Sequence, residues 1–283
     1  MVVVKSVNEL KKQVGRLRDE HKSIGFVPTM GALHQGHLQL VSRCVAENDA
    51  CVVSLFINPT QFNDKNDFNR YPRTLENDTA LLASVGCAIV FAPSAEEMYT
   101  PSEMETVFEF DFGGLDEVME GIFRPGHFNG VVQVVSKLFS MVTPDKAYFG
   151  EKDFQQLAII RRMVQVMIFP IEIVGCPIVR EKSGLALSSR NALLSEQERT
   201  TAAVIYRILS ESKQLMHEKT VAETKAWVID RLNAIDGLKV EYYEIVNGNS
   251  LQSITDWSDA DYVVGCVTVY CGKVRLIDNI NYK

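Results

Sequence analysis

Apolar positions in the first part of the chain follow two rhythms. Short, nearly unbroken apolar runs at residues 24–27, 51–57, 87–92 and 146–149 read as buried strands. Between them, apolar residues recur at helical spacing. One set is Leu38, Val41, Cys44 and Val45, a second is Leu75, Leu82 and Val85, and a third is Val131, Val134, Val135, Leu138 and Val142. A further helical stretch covers 154–167. Thr74 stands where it caps the second helix, with Glu76 and Asp78 in the first turn and Gly86 at the end. Short strands alternating with helices predict an α/β unit, a parallel sheet covered by helices on both faces.

The rhythm changes near residue 176. Ser195 with Glu198, and Thr220 with Glu223, have the spacing of capping boxes, so two helices begin there. Strands follow at 239–246, 261–270 and 273–280, the last two flanking Cys271-Gly272 as a tight hairpin turn. Helices followed by antiparallel strands predict a smaller α+β domain. The expected division is 1–176 and 177–283. No internal repeat, low-complexity run or Pro/Gly/Ser-rich linker intervenes, so the two domains are expected to abut and share a cleft.

Composition narrows the classes of function. With 283 residues, 46% hydrophobic and 23% charged, the chain can bury a substantial core, and at roughly 150 residues per domain it holds about two. Its net charge of −7 argues against a general binder of nucleic acid, so any phosphate ligand must be held by a local cluster of donors. No stretch approaches the roughly 18–20 apolar residues that span a bilayer. The first residues also lack a basic segment followed by a long apolar one, so neither membrane insertion nor secretion is expected. The six cysteines, at 44, 51, 87, 176, 266 and 271, are scattered without a Cys-x-x-Cys pair. They read as reduced core thiols of a cytoplasmic protein.

The most informative segment is Pro28-Thr29-Met30-Gly31-Ala32-Leu33-His34-Gln35-Gly36-His37, which joins the first predicted strand to the first helix. Ligands of open parallel sheets sit at such strand-to-helix junctions. Glycines let the backbone approach a ligand, and a helix N-terminus favours phosphate. Two histidines three apart can share one face of the first turn and donate to one anion. The Gly31-x4-Gly36 spacing mimics a P-loop, but His37-Leu38 replaces the required Lys-Ser/Thr. A zinc-protease pair would need histidines four apart with a glutamate between them, and neither is present. Two polar segments lie later in the chain. Gly150-Glu151-Lys152-Asp153 leads into the helix at 154, with Lys152 as a mobile positive charge. Arg180-Glu181-Lys182-Ser183-Gly184-Leu185-Ala186-Leu187-Ser188-Ser189-Arg190-Asn191 lies at the domain junction and offers hydroxyls and a guanidinium to a triphosphate.

A strand, a loop and then His-x-Gly-His or His-x-x-Gly-His at a helix start, here His34-Gln35-Gly36-His37, resembles the nucleotidylyltransferases and class I aminoacyl-tRNA synthetases. The loop around Ser188 is similar in role to the Lys-Met-Ser-Lys-Ser loop of the latter. A tRNA synthetase is disfavoured by the acidic charge and the lack of a tRNA-binding domain. Together with Asn58-Pro59-Thr60-Gln61, Tyr71-Pro72-Arg73-Thr74 and Phe123-Arg124-Pro125-Gly126-His127-Phe128, the segments resemble the pantoate–β-alanine ligase family, in family order from about 24 to 195.

The resemblance implies a Rossmann-like parallel sheet of the nucleotidylyltransferase type that binds ATP and pantoate, with a small C-terminal α+β domain acting as a lid. It implies ligation of pantoate to β-alanine through a pantoyl adenylate, with release of AMP and pyrophosphate. His34, His37 and Lys152 are then the catalytic residues, with His37 as proton donor. Met30, Gly31, Ala32, Leu33, His34, Gln35, Gly36 and His37 line the ATP site with Gly150, Glu151, Lys152 and Asp153. Val179 lies near adenine, and Leu187, Ser188, Ser189 and Arg190 close over the triphosphate. Gln61 and Gln156 hold pantoate, and Gln61 also meets β-alanine. Mg2+ accompanies ATP, with no protein ligand assigned. A homodimer is implied through the first domain. Two departures from the family pattern are Ser183, where Asp is common before the glycine, and Gln133, where Thr is common. The competing functions are another adenylate- or cytidylate-forming transferase on the same fold, which would not need both Gln61 and Gln156, and a nucleotide binder without turnover.

Overall fold

A computed structural model describes residues 1–63 and 65–283. The chain divides into two compact units. The first comprises Met1–Asp116, Gly121–Glu151 and Gln156–Cys176, and the second comprises Glu117–Glu120, Lys152–Gln155 and Pro177–Lys283.

The first unit is built on six parallel strands: β1 (Val2–Val4), β2 (Ile24–Thr29), β3 (Ala50–Leu55), β4 (Ile89–Phe91), β5 (Lys146–Gly150) and β6 (Glu172–Cys176). Their order is β1-β4-β3-β2-β5-β6. The longer helices are α1 (Val7–Asp19), α2 (Gln35–Glu47), α3 (Leu75–Ser84), α4 (His127–Val142) and α5 (Phe154–Val166). Successive strand residues point to opposite faces, and both sets are apolar. Val27, Cys51, Val53 and Val90 pack with Val41 and Cys44 of α2 and Leu82 of α3. On the opposite face, Phe26 meets Phe139 of α4 edge to face at 6.2 Å. Both rings are fully buried, so truncating Phe139 is expected to cost about 3–5 kcal/mol.

In the second unit, β7 (Leu238–Asn247), β8 (Val263–Cys271) and β9 (Val274–Asn281) form an antiparallel sheet in the order β7-β8-β9. Its helices are α6 (Glu196–Ala202), α7 (Val204–Leu215) and α8 (Val221–Asn233). Ile205, Leu209, Val228 and Leu232 pack with Tyr243, Val267 and Val269 of the sheet. Ser195 and Thr220 each complete the capping box expected of them.

Local details depart from the expectations. Thr74 is the N-cap of α3, but its side chain makes no bond to the helix backbone; its hydroxyl donates to Asp78 instead. Leu75, expected to face the core, is exposed. The third strand stops at Leu55, before Asn58 caps a short 3-10 turn at Pro59–Gln61. The last hairpin turns at Gly272-Lys273, because Cys271 pairs with Val274 and Gly272 takes φ +56. All six cysteines are buried thiols. Among the described residues, no helix is long and apolar enough to cross a membrane.

Candidate active site

The sheet order puts β2 between β3 and β5. Chain progression reverses there, running outward through β3 on one side and through β5 on the other. The C-terminal end of β2 is therefore the topological switch point, the place where an open parallel sheet leaves room for a ligand. The histidine loop begins at that end.

Thr29 closes β2. Its hydroxyl donates to the Ser54 carbonyl at 2.8 Å and accepts the Gly31 N–H at 3.2 Å. Gly31 and Ala32 follow at φ +82 and +51. The alanine conformation costs about 1–2 kcal/mol, and a buried carboxylate holds it. Asp78, 1% exposed, accepts the Ala32 and Leu33 N–H groups at 2.9 and 2.8 Å, and the Thr74 hydroxyl at 3.1 Å. Two loop amides that the sequence leaves open to phosphate are thus bound to Asp78.

His34 is the N-cap of α2. Its Nδ1 accepts the Gly36 N–H at 3.1 Å, while Nδ1 of His37 accepts the His34 N–H at 3.4 Å. This is a capping box in which histidine takes both side-chain roles. An Nδ1 that accepts carries no proton, so each neutral ring is an Nε2–H donor. The ring centroids lie 4.0 Å apart, so two neighbouring donors stand at the positive end of a helix.

Gln61 ends the 3-10 turn after β3 and is buried. Its Nε2 lies 3.1 Å from Met30 Sδ, and its Oε1 accepts from Asn58 at 3.2 Å. Asn58 also donates to the Gly130 carbonyl and accepts the Tyr99 hydroxyl. Burial pushes the Tyr99 phenol well above its ordinary range, so it stays a donor. His127 Nδ1 lies 2.8 Å from the Gln61 carbonyl, and its Nε2 lies 3.1 Å from Arg124. A carbonyl only accepts and a guanidinium only donates, so the proton sits on Nδ1. Gly130 makes the approach possible: a Cβ there would stand 2.4 Å from the Thr60 carbonyl oxygen. Gln156 lies half-buried in the first turn of α5, just past β5. Gln133 is buried and donates to the Glu103 carbonyl.

In the second unit, the Leu187 N–H donates to the Val179 carbonyl at 2.9 Å, and Arg180 bridges Ala186 in antiparallel fashion. The polar loop is therefore a small hairpin, turned at Gly184 with φ +94. Arg180 forks onto Asp278 at 2.7 and 2.8 Å and stacks 3.6 Å over Tyr206. It holds the hairpin. Ser183 is exposed and accepts the Leu185 N–H at 3.5 Å. Ser188 caps the 3-10 turn Ser189–Leu193 by accepting the Arg190 N–H. Ser188 and Lys152 line one small hollow with Leu185, Asn191, Leu276 and Asp278.

The structure thus brings together His34 with His37, Met30 with Gln61, Val179 with Leu187, and Lys152 with Ser188. Asp78, Asn58 and His127 carry local geometry that the sequence reading did not assign to them. Asn58 precedes a proline, a spacing that signals a side chain turned back on the backbone, and it accepts the Thr60 N–H.

A family model described as pantoate-beta-alanine ligase matches residues 2–281. A pantothenate synthetase from Phocaeicola vulgatus is 60% identical over 284 residues, and one from Porphyromonas gingivalis is 58% identical over 283, each alignment covering 100% of both chains. Among solved structures, the pantothenate synthetase of Thermus thermophilus has a TM-score of 0.92 and 44% identity, covering 100% of this chain and 99% of that one. The pantoate-beta-alanine ligase of Francisella tularensis, complexed with beta-gamma ATP and beta-alanine, has a TM-score of 0.84 and 34% identity, covering 100% and 98%.

Proposed function

The chain belongs to the pantoate–β-alanine ligase family, and from that premise we propose how its residues divide the work of the reaction. The enzyme joins pantoate to β-alanine with ATP, through pantoyl adenylate, to give pantothenate, AMP and pyrophosphate. In the first step a pantoate carboxylate oxygen bonds to the α-phosphorus and the bond to the β-phosphate bridging oxygen breaks. In the second the β-alanine nitrogen bonds to the acyl carbon, the acyl–oxygen bond breaks, and AMP leaves.

His34 and His37 donate hydrogen bonds from their Nε2–H groups to the phosphates, and His37, keeping its proton, stabilises the charge on the departing pyrophosphate. The Nδ1 bonds of these two rings, from the His34 N–H to His37 and from the Gly36 N–H to His34, are the observation that carries the reading, since they fix both donors before ATP arrives and so lower reorganisation in the transition state. Residues 30–37 and 150–153 line the nucleotide, with Lys152 adding a point charge. Val179 meets adenine, and residues 187–190 meet the triphosphate. Gln61 and Gln156 hold the hydroxyls and carboxylate of pantoate. Gln61 then meets β-alanine.

Among the described residues, no group of three or more His, Cys, Asp or Glu side chains is set to hold a metal ion. Mg2+ would accompany ATP, with no protein ligand assigned, and would neutralise phosphate charge. A homodimer formed through the first unit, and a place in the cytoplasm, complete the proposal.

Pyrophosphate release tests the reading. With ATP, Mg2+ and pantoate, a burst equal to the enzyme concentration is expected, followed by turnover to AMP only when β-alanine is added. Measurable ATP binding with no pyrophosphate on adding pantoate would remove the assigned roles.

A further inference from the structure

Two four-residue segments, Glu117–Glu120 and Lys152–Gln155, belong to the second compact unit although each is flanked on both sides by residues of the first. Buried polar contacts fasten them. The Glu120 carboxylate receives both terminal nitrogens of Arg275, at 2.8 and 2.7 Å. It also accepts the Tyr242 hydroxyl at 2.9 Å and the Thr268 hydroxyl at 3.1 Å. The Glu120 N–H donates to Gln155 Oε1 at 2.9 Å, and Gln155 Nε2 donates to the Val118 carbonyl at 2.8 Å. Glu120 and Gln155 are 9% and 5% exposed. At the other end of the second segment, Asn279 of β9 donates to the Lys152 carbonyl at 3.1 Å.

The sheet is modified to receive this cluster. Residues 241 and 242 would face opposite sides of a regular strand, but a register shift between Val240 and Tyr242 breaks the alternation. Glu241 and Tyr242 reach the two partners of one ion pair: Glu241 accepts Arg275 Nε at 2.9 Å, and Tyr242 donates to Glu120. A buried ion pair is weak evidence for stability, because apolar replacements of similar volume often do as well; fixing a register is its best-attested use. Here the register fixed is that of Lys152, whose backbone is tied to β9 directly and to β7, β8 and β9 through Gln155 and Glu120.

We propose that Glu120, Gln155, Arg275 and Asn279 are positioning residues for Lys152, making it part of the C-terminal sheet rather than of the β5 strand that precedes it. The inference rests on the reading of Lys152 as a phosphate-binding residue. Lys152 and Ser188, which line one hollow, then belong to one compact unit, so their spacing is set within that unit.

The test is a set of double-variant comparisons. Gln155→Met and Asn279→Ala act on opposite ends of the segment and leave the Arg275 cluster charged. Each is assayed for pantoate-dependent pyrophosphate release, alone and with Lys152→Ala, and thermal unfolding selects the variants that fold. A displacement of about 1 Å can cost up to about 10²-fold in rate. Each single variant is expected to lose roughly ten- to a hundredfold in kcat, with the KM for pantoate changing less than about threefold. In the Lys152→Ala background, neither is expected to lose more. An equal loss in both backgrounds, or full activity in a folded single variant, would overturn the proposal. Wild-type adenylation by Lys152→Ala itself would instead remove the role of Lys152, an outcome distinct from additivity.

Discussion

His34 and His37 together cap one helix start, the His37 ring accepting the His34 N–H and the His34 ring accepting the Gly36 N–H. Helix start and phosphate donors are therefore the same two side chains. His37→Ala is expected to cut adenylation by roughly 10²–10³ and to cost about 0.5–1 kcal/mol of stability. His34→Asn separates the two effects. Asparagine caps well, so stability should hold while adenylation falls. Parallel pyrophosphate release and thermal unfolding check this; near-normal adenylation in both variants removes the histidines from the chemistry.

Asp78 fills the space beneath the loop with a carboxylate that two main-chain donors need. Asp78→Ala leaves both donors without their acceptor, at about 1–3 kcal/mol for each that stays buried. Asp78→Asn turns an NH2 group toward one of them and should lose nearly as much. Urea denaturation measures both variants, and an unchanged midpoint for Asp78→Ala would show that the loop holds its shape without the carboxylate.

Gly130 brings α4 against the turn that carries Gln61. Gly130→Ala must push that turn away, since the obstructing atom is backbone. A loss of about 1–3 kcal/mol is expected, along with a raised KM for pantoate and little change in the KM for ATP. Equal changes in both constants would mean that the turn does not serve pantoate specifically.

Acid should weaken the first unit through Glu103. The Lys137 ammonium beside it, aided by the Thr100 N–H, holds this carboxyl down at about 2, against 4.5 for the free group. A folded value below the unfolded one gives a contribution that is complete above about 4.5 and fades as pH falls toward 2. Lys137→Met should flatten the fall of the melting temperature across that window. An identical slope in the two proteins would show that the pair contributes nothing there.

The strands and helices that build the core were legible because their apolar residues repeat with a clear period. β1 and β6 were not, β1 being three residues long with Val2 and Val3 exposed, and β6 mixing Glu172 and Gly175 with its apolar residues. Nor was α1, which buries only Leu10 and Val14 among charged neighbours. The histidine loop was legible as a place for phosphate because of its glycines and its position. Its amides could not be followed from the sequence. Their acceptor, Asp78, lies more than forty residues away and looks like an ordinary first-turn acid. Arg180 had no partner legible in the polar loop it opens, yet Asp278 and Tyr206 engage it from 98 and 26 residues downstream. Spacing along a chain reveals partners one helical turn apart, and long-range pairing of polar groups leaves no such trace.

The burial of every cysteine gives the molecule an internal chemical clock. A thiol reagent can enter only when the surrounding structure opens, so the labelling rate reports the free energy of opening rather than intrinsic thiol reactivity. Cys44, Cys51, Cys87 and Cys176 time the first unit, and Cys266 and Cys271 time the second. Mass-resolved labelling under native conditions would therefore rank the two units by their resistance to opening, with no probe added to the sequence.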